Sequence, residues 1–325
     1  MKKILGIAIL AALPACFTPA AAQTADSWPN RPVRIIHGFA PAGPIDNFAR
    51  LLAAQFNDRY GEPAIVEGKP GAGGTIAARF VARSPSDGYV LYLMASGHAS
   101  APGLYKSLGY DPVQDFTMIS LVAQSPYAVI ANPASGYGSM RELIDTARQQ
   151  PEKIDYGSGG IGSGMHLAAT LLQARTGVRL NHVAYKGGGA PALAVIGGEV
   201  PVIMTALAGM STYIAEGKVK ALAVTTAERF AQYPDVPTLS ETVAPGFDVT
   251  AWYALAGPKD LPPAIVAKLN DMVRETLQRK DIVETLRLQA AEPATSSPAE
   301  AQALLAAEVA RWQKVVREEG LSNMN

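Results

Sequence analysis

The stretch Phe39-Ala40-Pro41-Ala42-Gly43-Pro44-Ile45-Asp46 stands between a strand pattern and a helix pattern, and it offers an anion a seat without any basic side chain. Before it, Pro32-Val33-Arg34-Ile35-Ile36 is rich in β-branched residues, as strands are. After it, Phe48, Leu51, Leu52 and Phe56 recur at helical spacing and form one apolar stripe. Pro44 suits the first helical position, where a missing N–H costs nothing. Asp46 falls in the first turn, where it can cap free N–H groups or oppose the positive end of the helix dipole. Gly43 lets the backbone approach a ligand closely. The remaining free N–H groups then point into the mouth of the loop, and a carboxylate suits them. An ordinary strand-to-helix turn of an α/β protein is the competing reading.

The same alternation runs through most of the chain. Pro63 to Glu67 reads as a strand, Gly71-Ala72-Gly73-Gly74 as a turn into a helix, and Tyr89 to Met94 as a strand buried on both faces. Phe116 to Ile130 reads as two strands broken near Gln124-Ser125-Pro126. Helices follow over Met140 to Gln149 and Ser163 to Arg175, with strands at Lys153 to Gly157, Leu180 to Tyr185, Val202 to Met204 and Ala221 to Val224. Ala251 to Gly257 is apolar and is read as returning the chain to its first domain. Leu261 to Arg279 is expected to be helical, and Ala299 to Glu319 is expected to close the chain as an amphipathic helix. Strands alternating with helices through glycine loops predict doubly wound, mostly parallel α/β sheets, with ligands held where strand ends feed helices.

A second loop repeats the logic of the first. In Tyr156-Gly157-Ser158-Gly159-Gly160-Ile161-Gly162-Ser163-Gly164-Met165-His166 a strand ends, small residues expose backbone N–H groups, and Ser163 is placed to cap a helix. Ser158 and Ser163 add hydroxyl donors. If the two loops face each other from separate domains, a carboxylate lies between two helix N-termini, and domain closure buries it. The spacing Gly157, Gly159, Gly162 also fits G-x-G-x-x-G. No acid follows until Glu199, beyond the roughly 20-residue spacing of a ribose-binding carboxylate. A dinucleotide is therefore not expected, and no cofactor is implied.

Composition narrows the function further. Lys2 and Lys3, the apolar run Ile4 to Ala12 and the small residues Ala20-Ala21-Ala22 read as a secretory leader over residues 1–22, cleaved near Ala22. Leu13-Pro14-Ala15-Cys16 loosely resembles a lipoprotein box, with Pro14 and the early position against it. Cys16 is the only cysteine, so the processed chain is expected to have no disulfide, cysteine nucleophile or cysteine metal site. The full chain balances 28 basic against 28 acidic residues, and without the leader the net charge is −2. That balance gives no reason to expect nucleic acid or an anionic membrane as partner.

Enzyme signatures are weak. No serine lies in G-x-S-x-G. His37, His98, His166 and His182 are scattered, and none forms the H-x-x-x-H pair of a zinc helix, so no metal is expected. His98, in Ser96-Gly97-His98-Ala99-Ser100 after a buried strand, stands where a loop could line a cleft. A hydrogen-bonded structural histidine is the alternative. His166 is read as fixing its loop. Lys186 offers a charge to an anion, or is a solvated loop lysine. Tyr127, Tyr185 and Trp252 are either packing residues or a ligand platform.

Several runs, taken together, resemble the Bug family of extracytoplasmic solute receptors of tripartite tricarboxylate transporters. They are Trp28 to Arg34, Phe39 to Asp46, Lys69 to Gly74, Asp87-Gly88-Tyr89, Leu108 to Pro112, Tyr156-Gly157-Ser158, Tyr185-Lys186-Gly187, Lys220 to Thr225 and Pro234 to Thr238. The resemblance covers essentially the whole processed chain. It implies a two-domain periplasmic binding protein of the Venus-flytrap kind, type II-like, with residues 23–124 plus 252–325 as one domain and 125–251 as the other. It further implies capture of a small carboxylate in the interdomain cleft, permease subunits as membrane partners and a monomeric receptor that does no chemistry. Hinges are expected near Ala123 to Tyr127 and Thr250 to Trp252. The ligand shell expected on this basis comprises Phe39, Ala40, Pro41, Ala42, Gly43, Pro44 and Asp46; Ser96, Gly97 and His98; Ser158, Gly159, Ser163, Gly164 and His166; Tyr185, Lys186 and Gly187; and Thr205. A sensor component for a membrane kinase and a secreted carboxylate-processing enzyme are the other readings.

Departures from the family pattern bear on the ligand. The first loop usually reads Pro-Gly-Gly, and here Ala42 replaces a glycine. Ile161, Gly164 and Met165 stand where polar side chains are common, and Met204-Thr205-Ala206 replaces Phe-Asp-Asn. Fewer buried polar groups favour a carboxylate with an apolar or aromatic body, benzoate-like or terephthalate-like.

Overall fold

A computed structural model describes residues 27–187 and 189–318. The expected leader, its boundary near Ala22, Cys16, Gly188 and the expected helix end at Glu319 lie outside the described residues.

The chain opens with β1 (Val33–His37), α1 (Pro44–Tyr60), β2 (Ala64–Gly68), α2 (Thr75–Ala82) and β3 (Val90–Ala95). β1 pairs in parallel with both β2 and β3, which gives the order β2-β1-β3 with β2 at the edge. After α3 (Gly97–Leu104) comes β4 (Phe116–Ala131), a single strand of 16 residues. The expected break at Gln124-Ser125-Pro126 is instead the point where this continuous strand changes partners. Up to Pro126 it runs antiparallel to β9 (Thr250–Pro258). From Tyr127 onward it runs antiparallel to β7 (Val202–Ala206) and β8 (Lys220–Val224). A proline without an N–H is tolerated where ladder pairing changes hands.

The second lobe is built on α4 (Met140–Gln149), β5 (Asp155–Ser158), α5 (Gly164–Thr176), β6 (Asn181–Ala184) and α6 (Ala190–Gly197), followed by β7, α7 (Ser211–Ala215), β8 and α8 (Leu239–Thr242). β5 pairs in parallel with β6 and β7. β9 then returns to the first sheet beside β3. α9 (Pro263–Gln278), α10 (Lys280–Leu288), β10 (Glu292–Pro293) and α11 (Pro298–Glu318) complete the described chain. Each lobe therefore has a parallel trio of strands, with the antiparallel strands β4 and β9 joining them. The loops after β1, β3 and β5 leave the carboxyl ends of their strands, where doubly wound sheets bind ligands.

The core explains the positions of those loops. The run Val90-Leu91-Tyr92-Leu93-Met94 of β3 is buried throughout. Phe48, Leu52 and Phe56 seat α1 on the sheet without exposure, and the Phe48 ring meets Tyr253 edge-on at 4.8 Å. α11 buries Leu305, Val309, Trp312 and Val316 along one stripe. Among the described residues no helix is long and apolar enough to cross a membrane.

Because α1 is held to the sheet by this stripe, Phe48→Ala is expected to lower unfolding free energy by about 3–5 kcal/mol in urea denaturation. A loss of less than about 1 kcal/mol would show that the helix is seated by other contacts.

Candidate functional site

The first loop is braced from behind. Asp46 Oδ2 accepts from the Ala42 N–H at 3.2 Å and from Arg50 Nε at 2.9 Å. Its Oδ1 lies 3.1 Å from His37 Nε2, and both side chains are buried. Burial alone would raise the Asp46 pKa, but hydrogen bonds from Arg50 and Ala42, with the charge of Arg50, hold it below the ordinary value. Burial depresses the His37 pKa despite the facing carboxylate, so at neutral pH His37 is uncharged and donates through Nε2. Asp46 does not cap α1 and lines neither cavity, so those two expectations are corrected, while its place in the first turn keeps it where a carboxylate opposes the positive end of the dipole. The cap position is Gly43, with no side-chain bond, and Asp46 is turned back to hold the loop. The first helical hydrogen bond runs from Asn47 N to Gly43 O at 3.1 Å, so the Gly43 and Ile45 amides precede the ladder and lack an intrahelical acceptor. Ala42 sits at φ 65°, in the left-handed region that glycine occupies without penalty.

The second loop is braced by a column of rings. Ser158 Oγ accepts the Gly160 N–H at 3.2 Å and lies 2.7 Å from His182 Nε2. The Gly162 N–H donates to His166 Nδ1 at 3.2 Å, and the His166 N–H donates to Ser163 Oγ at 3.2 Å. The His166 ring stacks on His182 with centroids 4.2 Å apart, and His182 stacks on Tyr156 at 4.8 Å. Burial pushes both histidines down to about 4, and the closeness of His182 adds to the shift of His166. Both rings are therefore neutral at pH 7, and His166 Nδ1 is free to accept. Gly160, Gly162, Ser163 and His166 use their amides inside the protein. The Gly164 and Met165 amides precede the bond from Leu167 N to Ser163 O, the first of α5.

The lobes meet over these loops. A Cβ on Gly97 would come within 2.8 Å of Gly164 N, and one on Gly164 would overlap the Tyr127 hydroxyl. Glycine is required at 97 because backbone meets backbone across the gap, and at 164 because the Tyr127 hydroxyl fills the space. Gly73 abuts Gly162, Gly187 abuts Phe39, and the Tyr105 hydroxyl donates to the Ile161 carbonyl at 3.1 Å. An inner cavity of about 30 Å³ remains, flanked by Gly43 and Ile45 of α1, Gly97 of α3, and Gly164 and Met165 of α5. None of its lining residues is charged. Outside it, beyond Phe39, opens a cavity of about 630 Å³ between the loops Pro70–Gly74, Gly159–Ile161 and Ala184–Lys186.

The expected shell is thus sorted by position. Phe39, Gly43, Pro44, Ser96, Gly97, Ser163 and Gly164 surround the inner cavity. Gly159, Tyr185 and Lys186 line the outer one, and Gly187 packs on Phe39. Ala40, Pro41 and Ala42 form a partly exposed rim. Ser158 and His166 stand behind the second loop and line neither cavity. His98 is corrected as well. Its Nε2 lies 2.9 Å from the Pro112 carbonyl, and its ring packs among Tyr92, Tyr110 and Phe116, away from the cleft. Thr205 is buried in β7 opposite Ala128 and lines neither cavity. Sequence reasoning missed α3 as a helix, because Gly97, Pro102 and Gly103 within eight residues oppose helix propensity. It also gave Tyr127 no place in the shell, although Tyr127 lines the inner cavity with its hydroxyl 2.9 Å from Ser96 Oγ. Tyr253 and Met165 complete the apolar lining. Among the described residues no three His, Cys, Asp or Glu side chains converge to hold a metal ion.

A model of the tripartite tricarboxylate transporter family receptor matches residues 48–321. Among solved structures, the periplasmic binding protein BugD is 36% identical with a TM-score of 0.84, over 90% of this chain and 99% of that one. Rpa4515 of R. palustris with adipate is 33% identical with a TM-score of 0.86, over 90% and 98% of the two chains. MatC of Rhodopseudomonas palustris with bound malate is 32% identical with a TM-score of 0.85, over 89% and 100%.

The ring column makes stability depend on pH. His166 and His182 titrate near 4 in the folded chain, and near 6.5 when unfolded. The unfolded state therefore binds protons first, and stability present above about pH 6.5 is lost as pH falls toward 4. Thermal melts are expected to show a falling Tm over this window, with a shallower fall in His182→Asn than in the wild type. Parallel pH profiles for the two proteins would contradict the assignment.

Proposed function

The chain belongs to the tripartite tricarboxylate transporter receptor family, and on that premise we propose that it captures a small organic carboxylate between its lobes and delivers it to membrane permease subunits. One observation carries the reading. Residues at the opening of helices from both lobes, Gly43 and Ile45, Gly97, and Gly164 and Met165, line a cavity whose lining has no charged side chain. Helix N-termini favour an anion, and no acid is at hand to pair with a cation. A substrate amino group would be buried without a partner, which is costly.

The size of the inner cavity supports a division of labour. About 30 Å³ suits a carboxylate group and not a ring. The body of the ligand then extends past Phe39 toward the outer cavity, where Lys186 stands. Adipate and malate, held by the two relatives, are small dicarboxylates. Phe39, Ile45, Tyr127, Met165 and Tyr253 give this chain an apolar lining, which favours a carboxylate with an apolar or aromatic body over a polyhydroxylated one.

Capture is coupled to closure. In this reading residues 23–124 with 252–325 move against 125–251. The hinges lie at Ala123–Tyr127 and Thr250–Trp252, where β4 and β9 pass between the sheets. The protein is exported, its leader is cleaved near Ala22, and it works in the periplasm as a monomer without catalysing a reaction.

A thermal-shift screen of adipate, malate, citrate, benzoate, terephthalate and free amino acids is expected to give its largest Tm rise with an apolar-bodied acid. Stabilisation by amino acids alone would overturn the reading. Gly164→Ala is expected to weaken binding of that acid by at least about tenfold, since a side chain there blocks the approach of Tyr127. Unchanged affinity in this variant would remove α5 from the site.

A further inference from the structure

A second concavity of about 540 Å³ lies at the other end of the first lobe. It opens where β1 and β3 begin, near Arg34 and Val90, whereas the cleft loops leave the far ends of these strands. Arg79 and Arg83 of the α2 segment stand on its wall with Arg34, and Ile76, Phe80 and Val90 provide apolar surface. Arg34 is bound bidentately by Glu67 at 2.7 Å, and Lys69 shares that acid at 3.8 Å. Both cations also lie over the Phe80 ring, at 5.3 and 4.3 Å. Arg79 gives its Nε to the Leu108 carbonyl at 2.9 Å. Among the described residues neither Arg79 nor Arg83 has a carboxylate partner. The group is thus a cationic cluster with one shared acid, in a chain whose formal charge is zero.

Two features separate this groove from a small-ligand pocket. It is open along α2, where enclosed pockets bury most of their ligand. Exposed apolar surface also continues from Ile76 in the groove, 49% exposed, to Ile65 beyond it, 50% exposed. Ile65 stands on the edge strand β2 opposite Arg34 in the ladder. An apolar strip rimmed by the guanidinium groups of Arg79 and Arg83, which lack a carboxylate partner among the described residues, is complementary to carboxylates carried beside a bulky apolar residue.

We infer that this groove docks an acidic segment of a partner protein that also presents an apolar side chain. Guanidinium groups take carboxylates bidentately, so Arg79 and Arg83 fix the register, and Ile76 with Phe80 receives the apolar residue. The groove shares no lining residue with either cleft cavity. With the permease subunits of the receptor reading taken as that partner, the inference rests on that reading. The groove itself can be probed without the cleft, so failure of docking is visible apart from failure of carboxylate capture.

The test is fluorescence anisotropy of the full processed chain with a labelled peptide of sequence Glu-Glu-Leu-Glu-Glu-Phe-Glu-Glu. Binding is expected, and it should weaken steeply as salt is raised. Arg83→Glu should reduce affinity by about tenfold or more, and Ile76→Ser should also reduce it, while the thermal shifts given by adipate, malate and benzoate stay as in the wild type in both. Should Arg83→Glu fail to fold, Ile76→Ser and Arg83→Ala decide the matter. No peptide binding, or binding that all variants retain, would overturn the inference. So would capture by phosphatidylglycerol vesicles, or by citrate in the groove, without peptide binding.

Discussion

A helix leaves the N–H groups of its first turn without carbonyl partners, and burying such a group unpaired is costly. The cleft of this protein is organised around that constraint. α1, α3 and α5 all begin at the inner cavity, and residues at their starts line it from both lobes. In the proposed reading, those first-turn N–H groups are what an anion would satisfy. A carboxylate satisfies several at once, and the aligned dipoles add to its attraction.

Side chains serve this arrangement indirectly. Asp46 looks from its place in the first turn like a cap or a ligand contact. It instead takes the Ala42 amide and pairs with Arg50 and His37, which keeps a negative charge behind the loop and off the anion's path. His166 and Ser158 do the same work in the second lobe, accepting the Gly162 and Gly160 amides. The loops are thereby fixed by contacts on their inner side, and the amides beyond those contacts stay available. Glycine at 97 and 164 lets the two helix ends come close enough to share one small cavity.

Much of this was legible from the sequence. The stripe Phe48, Leu52, Phe56 located α1, and the buried run of β3 located the centre of the first sheet. The two glycine loops were marked by small residues between a strand pattern and a helix pattern, but ordinary α/β turns share that pattern, so it took the family resemblance to read them as ligand loops. Other features depended on tertiary context. β4 reads as two strands because Pro126 breaks local propensity, yet the strand continues by changing partners there. α3 defies propensity, with Gly97, Pro102 and Gly103 in eight residues. His98 follows a buried strand as a cleft residue would, but three aromatic rings hold it elsewhere. The direction a side chain takes from a helix start or a strand end is not written in spacing, so the sequence assigns Asp46, His98 and Thr205 to a surface they do not reach.

The most direct measurement is the amide spectrum of ¹⁵N-labelled protein titrated with adipate, malate and benzoate. The account predicts that the acid which binds moves the Gly43, Ile45, Gly97, Gly164 and Met165 resonances downfield together, as backbone N–H groups take up a carboxylate. Saturation by a bound acid that leaves those five amides in place, with shifts gathered on arginine or lysine side chains, would contradict it.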